Sequence, residues 1–247
     1  MLKIKDLAVR AEGKDILNGV SAEMPSGTVC YLLGKNGSGK SSLSFSIAGH
    51  PKYSVTAGEI LLDGESLVGL APEERAAKGV FLSLQNVPEI RGVKLSEYLR
   101  AVLNAKLKRE DASAKPLSPF VAKRLFLKEA ASLGIPDSFL DRELNVGFSG
   151  GEKRRIELLQ MKVLNPKFVI LDEVDSGLDV DAFRMVADLL ASLRSPDRTF
   201  LVVTHNFALT EAFPPDLVFV MEDGKIVKTG GPELVKQIGE EGFSGKA

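Results

Sequence analysis

The sequence is poor in the residues that build disulfides and metal clusters. It contains a single cysteine, Cys30, in 247 residues. One cysteine cannot form an internal disulfide and excludes a Cys-x-x-Cys metal site. We therefore do not expect this chain to carry a zinc ion or an iron–sulfur cluster itself. Because Cys30 lies in an apolar run, we expect it to be a core residue.

Long apolar runs are also lacking. No stretch approaches the roughly 20 apolar residues that a helix needs to span a bilayer. The first residues, 1–5, alternate apolar and polar side chains, whereas a signal sequence opens with an apolar region. We expect a cytoplasmic protein with no direct membrane insertion.

The chain also lacks an excess of charge of one sign. Its 32 Lys and Arg residues are balanced by 33 Asp and Glu residues. A near-neutral balance argues against a protein built mainly to coat nucleic acid, so no nucleic-acid partner is expected. No internal repeat or low-complexity segment occurs, and the length is sufficient for a sizeable core.

A glycine-rich stretch between a predicted strand and a predicted helix is the most informative motif. The apolar run 29–33 predicts a strand buried on both faces, and residues 42–48 predict a helix. This is the context of a phosphate-binding loop, whose glycines let backbone N–H groups turn toward a polyphosphate. A plain Gly/Ser-rich turn is the alternative, which the context disfavours. The predicted phosphate-binding residues are Gly34, Lys35, Asn36, Gly37, Ser38, Gly39, Lys40, Ser41 and Ser42.

Two side chains of this loop have separate predicted roles. Lys40 supplies a positive charge for the β- and γ-phosphates, and the Ser41 hydroxyl is a Mg²⁺ ligand. The loop therefore predicts a site for a nucleoside triphosphate and magnesium.

Two adjacent acids, Asp172 and Glu173, follow the apolar run 168–171, which predicts another buried strand. Ligands bind at the carboxyl ends of strands in open α/β sheets. Asp172 is predicted to support the magnesium, and Glu173 to polarise an attacking water. Acids placed for a helix dipole are the alternative, which the phosphate loop makes less attractive.

Polar residues also follow two other predicted strands. The strand at 200–204 is followed by His205, which would reach the same sheet edge and could contact a γ-phosphate. An ordinary core or surface histidine is the alternative. The strand at 80–84 is followed by Gln85, which taken alone is only a polar loop residue.

The apolar spacing predicts an α/β core. Residues 2–9 alternate, and 58–64 form a short strand closed by an Asp-Gly turn, so an antiparallel sheet should flank a mostly parallel core sheet. An edge hairpin is predicted at 218–227 and a last helix at 232–241.

The middle of the chain has a different pattern. Helical spacing occurs at 95–107 and 121–133, with proline breaks around both segments. We predict a single domain, 1–247, in which 1–86 and 151–247 form the core with its antiparallel β-subdomain. Residues 87–150 form an inserted α-helical subdomain.

A Ser-Gly-Gly turn at 149–151 ends the insert and begins a helix, and such a turn can hold an anion. The three cations Lys153, Arg154 and Arg155 follow it. We favour a solvated face or salt bridges over a nucleic-acid patch for them.

The order of these motifs resembles that of ATP-binding-cassette (ABC) ATPases over essentially the whole chain. The resemblance implies a Mg²⁺-dependent ATPase in which Lys40 and the loop amides hold the ATP phosphates, and Ser41, Gln85 and Asp172 serve the magnesium. Glu173 would be the base, and His205 would sense the γ-phosphate. Gln85, Glu173 and His205 are thus the predicted catalytic residues.

The same resemblance implies a transient, ATP-dependent homodimer. A signature motif would contact the ATP of the partner subunit, and a following loop would lie at the dimer interface. The signature residues are Phe148, Ser149, Gly150, Gly151 and Glu152, and the interface loop is Ser176, Gly177, Leu178 and Asp179.

Within this superfamily, several stretches resemble the SufC ATPases of the SUF iron–sulfur cluster assembly machinery. They are residues 48–53, 85–90, 145–153 and 172–179. This resemblance implies that SufB- and SufD-like scaffold proteins are the partners and that ATP hydrolysis drives cluster assembly. The nucleotide-binding subunit of a membrane ABC transporter is the alternative. A DNA-repair or translation ATPase is disfavoured by the near-neutral charge and the presence of one cassette.

Two features depart from the usual cassette pattern. Residues 9–13, near the end of the first strand, contain no aromatic side chain, although many cassettes stack one on adenine there. The signature motif carries Phe148 and Glu152 where Leu and Gln are commoner.

Overall fold

The computed structural model describes residues 1–84, 87–174, 180–204 and 207–243. Contacts divide the chain into two compact units. The first comprises 1–84, 166–176 and 190–247, and the second comprises 85–165 and 177–189. Among the described residues, no helix combines the length and apolar character that crossing a bilayer requires.

The strands and helices follow the chain in this order. The strands are β1 (Leu2–Ala11), β2 (Lys14–Met24), β3 (Val29–Leu33), β4 (Tyr53–Leu62), β5 (Glu65–Ser66), β6 (Val80–Ser83), β7 (Ile90–Lys94), β8 (Glu143–Leu144), β9 (Phe168–Asp172), β10 (Thr199–Val203), β11 (Leu217–Glu222) and β12 (Lys225–Gly230). The helices are α1 (Lys40–Ala48), α2 (Pro72–Ala77), α3 (Leu95–Glu110), α4 (Pro119–Ala131), α5 (Gly150–Leu164), α6 (Val180–Ser192), α7 (Ala208–Ala212) and α8 (Glu233–Glu241), and a 3₁₀ turn spans Asp137–Asp141.

The first unit contains a six-stranded, mostly parallel sheet in the order β12-β11-β3-β10-β9-β6 and an antiparallel sheet in the order β2-β1-β4-β5. Only β12 runs antiparallel to its neighbour in the larger sheet. Buried apolar residues from both sheets and from α1 form one core cluster. The predicted fold class, a parallel-rich α/β core with a flanking antiparallel sheet, is confirmed.

Strand β3 is central because its five residues are all buried, with β10 on one side and β11 on the other. In the register of the sheet, Val203 lies beside both Leu32 and Asp172, and Ser83 lies beside Leu171. The carboxyl ends of β3, β6, β9 and β10 therefore lie along one edge. Helix α1 begins at Lys40, two residues earlier than predicted.

The antiparallel sheet is longer than the sequence pattern indicates. β4 begins at Tyr53, whereas the pattern predicts a strand from Gly58. Gly58 has φ +84°, and a Cβ there would lie 2.4 Å from the carbonyl oxygen of Asp6. Because β1 and β4 shift register between Lys5 and Ala8, Gly58 marks a bulge within the strand, not its start.

The second unit is mainly helical. Leu95, Leu99 and Leu103 form the buried stripe of α3, which packs on α4 and α5 as their helical spacing predicts. The short ladder of β7 and β8 was not predicted. β7 is largely exposed, so it carries no apolar alternation that could reveal a strand.

Candidate active site

The phosphate loop connects β3 to α1 and depends on glycine at points of close approach. At Gly34 (φ +157°) a Cβ would lie 2.3 Å from the carbonyl oxygen of Met221. Gly37 and Gly39 have φ values of +81° and +107°, a backbone region that side chains rarely adopt. The loop therefore keeps its backbone path only with these glycines.

The β11–β12 hairpin supports this loop from outside. The amide of Gly224 donates to the carbonyl of Ser38 at 2.9 Å, and the amide of Asn18 donates to the carbonyl of Gly224 at 3.0 Å. Sequence analysis predicted the hairpin but assigned it no role at the loop. The Asp-Gly turn was visible in the sequence, but no local pattern indicates which distant segment a turn contacts.

Lys40 is buried within the loop. Its Nζ donates to the carbonyl oxygens of Gly34 (2.8 Å) and Lys35 (2.9 Å). Burial lowers the pKa of Lys40, while the charges of Glu173 and Asp172 act in the opposite direction. The loop thus holds a cation that could pair with an anion at its mouth.

The start of α1 fits an anionic group. Its N-cap is Gly39, which offers no side-chain cap, so the positive end of the helix dipole has no side-chain partner there. The Ser38 hydroxyl is buried and has no hydrogen-bond partner in the part of the chain that the structure describes. A buried polar group of this kind calls for an external partner. The cradle is therefore suited to phosphate.

Two oxygen donors meet beside the loop. Ser41 Oγ donates to Asp172 Oδ1 at 3.3 Å, which joins the start of α1 to the end of β9. Burial raises the pKa of Asp172, and the hydrogen bond from Ser41 partly opposes the rise. Hydroxyl and carboxylate oxygens are the donors that Mg²⁺ prefers, with water and phosphate oxygens completing its shell. Within the described ranges no group of three or more His, Cys, Asp or Glu residues could hold a metal ion.

Glu173 follows Asp172 with a left-handed backbone, φ +50°. Its amide donates to the carbonyl of Val203 at 2.8 Å, at the end of β10. A non-glycine residue in this region typically costs about 1–2 kcal/mol, and such strain often occurs at functional positions. The strained turn fixes the main chain of Glu173 at the sheet edge where β9 and β10 end.

The signature motif lies in the second unit, where it begins α5. Ser149 is the N-cap: its hydroxyl accepts from the amide of Glu152 at 3.3 Å, and Glu152 Oε2 accepts from the amide of Ser149 at 2.7 Å. This capping box explains Glu152, since Glu and Gln both suit the third helical position. The bond from the Ser149 amide lowers the pKa of Glu152. A hydroxyl that accepts can still donate, so Ser149 remains able to donate to a ligand.

Phe148 is held by an aromatic contact within the same unit. Its ring centroid lies 4.6 Å from that of Phe139 and 3.9 Å from the guanidinium carbon of Arg142. Phe148 is only 6% exposed. The unusual aromatic residue at this position thus anchors the turn before Ser149.

Two of the three cations after the signature, Lys153 and Arg154, form ion pairs, as the favoured interpretation predicts. Arg154 pairs with Glu157, and both side chains are buried. Lys153 pairs with Glu89 at 3.0 Å. Neither residue belongs to an unpaired basic patch.

Several predicted site residues lie outside the described residues. They are Gln85, Ser176, Gly177, Leu178, Asp179 and His205. Strands β6, β9 and β10, which precede them, end at the edge that carries the phosphate loop. The roles of these residues stay predictions.

Comparison with known proteins identifies the family. Residues 17–176 match the family described as ABC transporter. The probable ATP-dependent transporter SufC of Escherichia coli is 45% identical over 243 residues, which are 98% of this chain and 97% of that protein. A probable ATP-dependent transporter of Synechocystis sp. is also 45% identical, covering 98% of this chain and 94% of the relative.

Solved structures share the fold at low sequence identity. A nucleotide-free ATP-binding cassette from an ABC transporter has a TM-score of 0.77 at 22% identity, covering 97% of this chain and 95% of that one. A dimeric cassette, MJ0796, in a post-hydrolysis state with ADP and Pi also has a TM-score of 0.77, at 20% identity, covering 94% and 99%.

The chain is therefore an ATP-binding cassette and belongs to the ABC family of ATPases, enzymes that hydrolyse ATP. The resemblance predicted from its motifs is confirmed, and SufC of Escherichia coli is among its relatives at 45% identity.

Proposed function

We propose that this chain is the SufC-like ATPase of a cytoplasmic iron–sulfur cluster assembly complex, with SufB- and SufD-like scaffold proteins as partners. The observation that carries the proposal is the 45% identity to SufC over 98% of the chain. The buried Cys30 agrees with it, since the cluster ligands would then lie on the partners.

The first step is binding of the ATP phosphates by the loop. Lys40 would move its ammonium from the carbonyls of Gly34 and Lys35 toward the β- and γ-phosphates. The amides at the start of α1 and the Ser38 hydroxyl would donate to phosphate oxygens. Ser41 and Asp172, with Gln85, would hold a Mg²⁺ ion. When bound, Mg²⁺ would supply positive charge that offsets the negative charge of the phosphate groups.

Hydrolysis requires a positioned water, and Glu173 would orient it. Its carboxylate would accept a proton as the water attacks the γ-phosphorus and the bond to ADP breaks. The strained backbone of Glu173 would keep this carboxylate at the sheet edge. His205 would contact the γ-phosphate from the end of β10.

A single copy would not complete this site. We propose that Ser149, Gly150 and Gly151 contact ATP bound by a second copy, and that residues 176–179 lie at that interface. The Ser149 hydroxyl accepts a hydrogen bond in the helix cap and can still donate its own proton to a ligand, which supports this role. ATP would then hold two copies together, and hydrolysis would release them.

A pull-down from the protein's own cells without detergent, followed by mass spectrometry, tests the cellular role. We expect soluble scaffold proteins of the SUF type to remain bound. Recovery of membrane permease subunits alone would contradict the cluster-assembly role and leave the ATPase chemistry unchanged.

The second candidate function is that of a motor subunit of a membrane transporter. It is favoured by the family description, ABC transporter, and by relatives named as ATP-dependent transporters. The same pull-down distinguishes the two functions, because a transporter motor would be recovered only with its permease.

A further inference from the structure

The first unit carries an aromatic cluster, Phe45, His50 and Tyr53, that the proposed hydrolysis chemistry does not use. The Tyr53 ring lies parallel to that of Phe45, with centroids 5.6 Å apart and planes inclined by 4°. His50 meets both rings edge-on, at 5.2 Å from Phe45 and 5.8 Å from Tyr53. Phe45 and Tyr53 are half-buried and His50 is exposed. The aromatic cluster therefore presents ring surface that a ligand can reach.

The other aromatic ring contacts of the described residues differ from this cluster. Phe200 and Phe213 pack on each other and are fully buried. Phe139 and Phe148 lie in the second unit, before the signature turn. Among the described ring contacts of the first unit, the aromatic cluster is thus the one that a ligand held by the phosphate loop could meet.

Helix α1 connects the aromatic cluster to the phosphate loop. Phe45 follows Lys40, the first residue of the helix, by five positions, which is about 7.5 Å along its axis. Ser41 and Phe45 are four residues apart, so their side chains lie on the same face of the helix. The α-phosphate and ribose of a nucleotide can span such a distance when the β-phosphate lies in the loop.

The early start of β4 places Tyr53 beside the end of β1. Tyr53 pairs directly with Ala11. Opposite residues of an antiparallel pair point to the same face, with Cβ atoms about 4.5–5.5 Å apart. Both side chains face the core, since Ala11 is 7% exposed and Tyr53 packs against the core cluster. A ring therefore lies next to one of the smallest side chains of the sheet.

The end of β1 is also close to the loop through β2. Leu17 of β2 packs against the loop, because a Cβ at Gly39 would lie 3.0 Å from Leu17 Cδ2. Leu17 pairs with Val9, and Ala11 lies two residues further along β1, a distance of about 7 Å. Two separate paths, one along α1 and one through β2 and β1, thus bring Tyr53 within reach of a nucleotide held by the loop.

We propose that Tyr53 is a base-binding residue, whose ring supplies an aromatic face for the base of the nucleotide, while the small Ala11 leaves room for that base. The inference rests on the proposed function, in which residues 34–42 bind the phosphates. It assigns the base contact to β4, although the β1–β2 turn has no ring to offer.

Stacking on Tyr53 should provide affinity more than discrimination between purines. Every base has a π-face, so an aromatic ring accepts adenine and guanine alike. The charged neighbours Glu12 and Lys52 pair with each other at 2.9 Å. Neither offers an unpaired charge to the edge of the base. Tyr53 should therefore contribute to the binding of adenine and guanine nucleotides by similar factors.

Calorimetry on the full chain with ADP, GDP and inorganic pyrophosphate tests the proposal, because pyrophosphate has the phosphates but no base. Tyr53→Ala should weaken the binding of ADP and of GDP about 5- to 150-fold, the contribution of one base–aromatic contact. The affinity for pyrophosphate should stay within about twofold of that of the unmodified protein. Tyr53→Phe keeps the ring and should bind ADP within about threefold of the unmodified protein.

Val55→Ala is the matched control. Val55 lies on the same face of β4, two residues further on, and packs against the same core cluster without a ring. Its ADP affinity should stay within about twofold of the unmodified value. A swap of the two positions gives a second test: Ala11→Tyr combined with Tyr53→Ala returns a ring to the same face from β1. The double variant should recover most of the ADP affinity that Tyr53→Ala loses.

The outcomes separate the role of Tyr53 from the proposed phosphate site. Unchanged ADP affinity in Tyr53→Ala would overturn the inference, as would equal weakening of ADP and pyrophosphate, which indicates a structural role. If Tyr53→Ala does not fold, photolabelling of the unmodified protein with an azido-substituted ADP decides. Label in the peptide that carries Tyr53 supports the inference, and label only in other peptides overturns it. An unmodified protein that binds neither ADP nor pyrophosphate contradicts the phosphate site itself.

Discussion

Two helices of this chain begin at motifs suited to anions, but they begin in different ways. Helix α1 starts after Gly39 with no side-chain cap and with the buried Ser38 hydroxyl unpartnered among described residues. Helix α5 starts at Ser149 with a complete capping box. The first helix start requires a ligand to satisfy it, whereas the second is already stable without one.

This difference agrees with the roles proposed for the two motifs: the phosphate loop binds the chain's own ATP, and the signature turn contacts the ATP of a second copy. A loop that binds ATP within its own chain can leave its donors open, because the nucleotide satisfies them. A turn that meets ATP only when two copies pair spends part of its cycle exposed to solvent. Its helix start has to be satisfied internally, and the Ser149 hydroxyl keeps one donor for the encounter.

The largest expected effect is on hydrolysis, through Glu173 at the end of β9, whose neighbour Asp172 is hydrogen-bonded to Ser41 in α1. Glu173→Gln should reduce kcat about 10²- to 10⁴-fold, the usual contribution of a general base, because the amide cannot accept the proton of the water. ATP binding, measured by calorimetry, should be unchanged since the phosphate cradle is intact. Turnover within a fewfold of the unmodified protein would contradict the role of Glu173.

Binding should depend on the same helix start. Lys40→Ala should weaken ATP binding roughly 10- to 150-fold, because hydrogen bonds to charged groups contribute about 1.5–3 kcal/mol. Lys5→Ala is the control, since Lys5 forms an exposed ion pair with Glu59, away from the phosphate loop in sequence. Equal affinities of the two variants for ATP would refute the phosphate-loop assignment.

The capping box at the start of α5 should contribute to the stability of the protein. Glu152→Ala removes the acceptor for the Ser149 amide and should lower the unfolding free energy by about 0.5–2 kcal/mol. Glu152→Gln preserves the capping geometry and should be nearly neutral. Thermal unfolding of the two variants checks this, and identical midpoints would show that the capping box is not stabilising.

The smallest expected effect concerns the reactivity of the Cys30 thiol, in the strand before the phosphate loop. Burial raises the pKa of Cys30 to about 11, so its thiol should stay protonated and slow to alkylate at pH 8. Iodoacetamide should modify it quickly only after unfolding. The Glu173→Gln and Lys40→Ala proteins should protect Cys30 equally, and rapid labelling of either would show that its loss of function comes from unfolding.

The sequence predicted the residues that meet at the start of α1 better than the contacts that surround the start of α5. Glycine spacing, an apolar strand and the acids at 172–173 are local patterns, and they identify side chains that the fold brings together, such as Ser41 and Asp172. The contacts of Gly224 with Ser38 and of Asn145 with Pro88 are not local. They depend on which segments become neighbours in three dimensions, and the spacing of apolar residues along the sequence does not indicate this.

The early start of β4 shows the same limit within one element. Gly58 carries the signal of a strand boundary, yet it lies inside the strand because β1 approaches it too closely for any side chain. Likewise, Phe148 departs from the usual signature motif, and only its contacts with Phe139 and Arg142 explain it.

The most direct test of the account is to mix two inactive variants and measure ATP hydrolysis. Lys40→Ala should lose the site that binds the chain's own ATP, and Ser149→Arg should lose the turn that meets the partner's ATP. A mixed pair would contain one intact composite site, so the mixture should hydrolyse ATP clearly faster than the two variants measured separately. A mixture no faster than their sum would contradict the claim that the two helix starts act on one ATP from two copies of the chain.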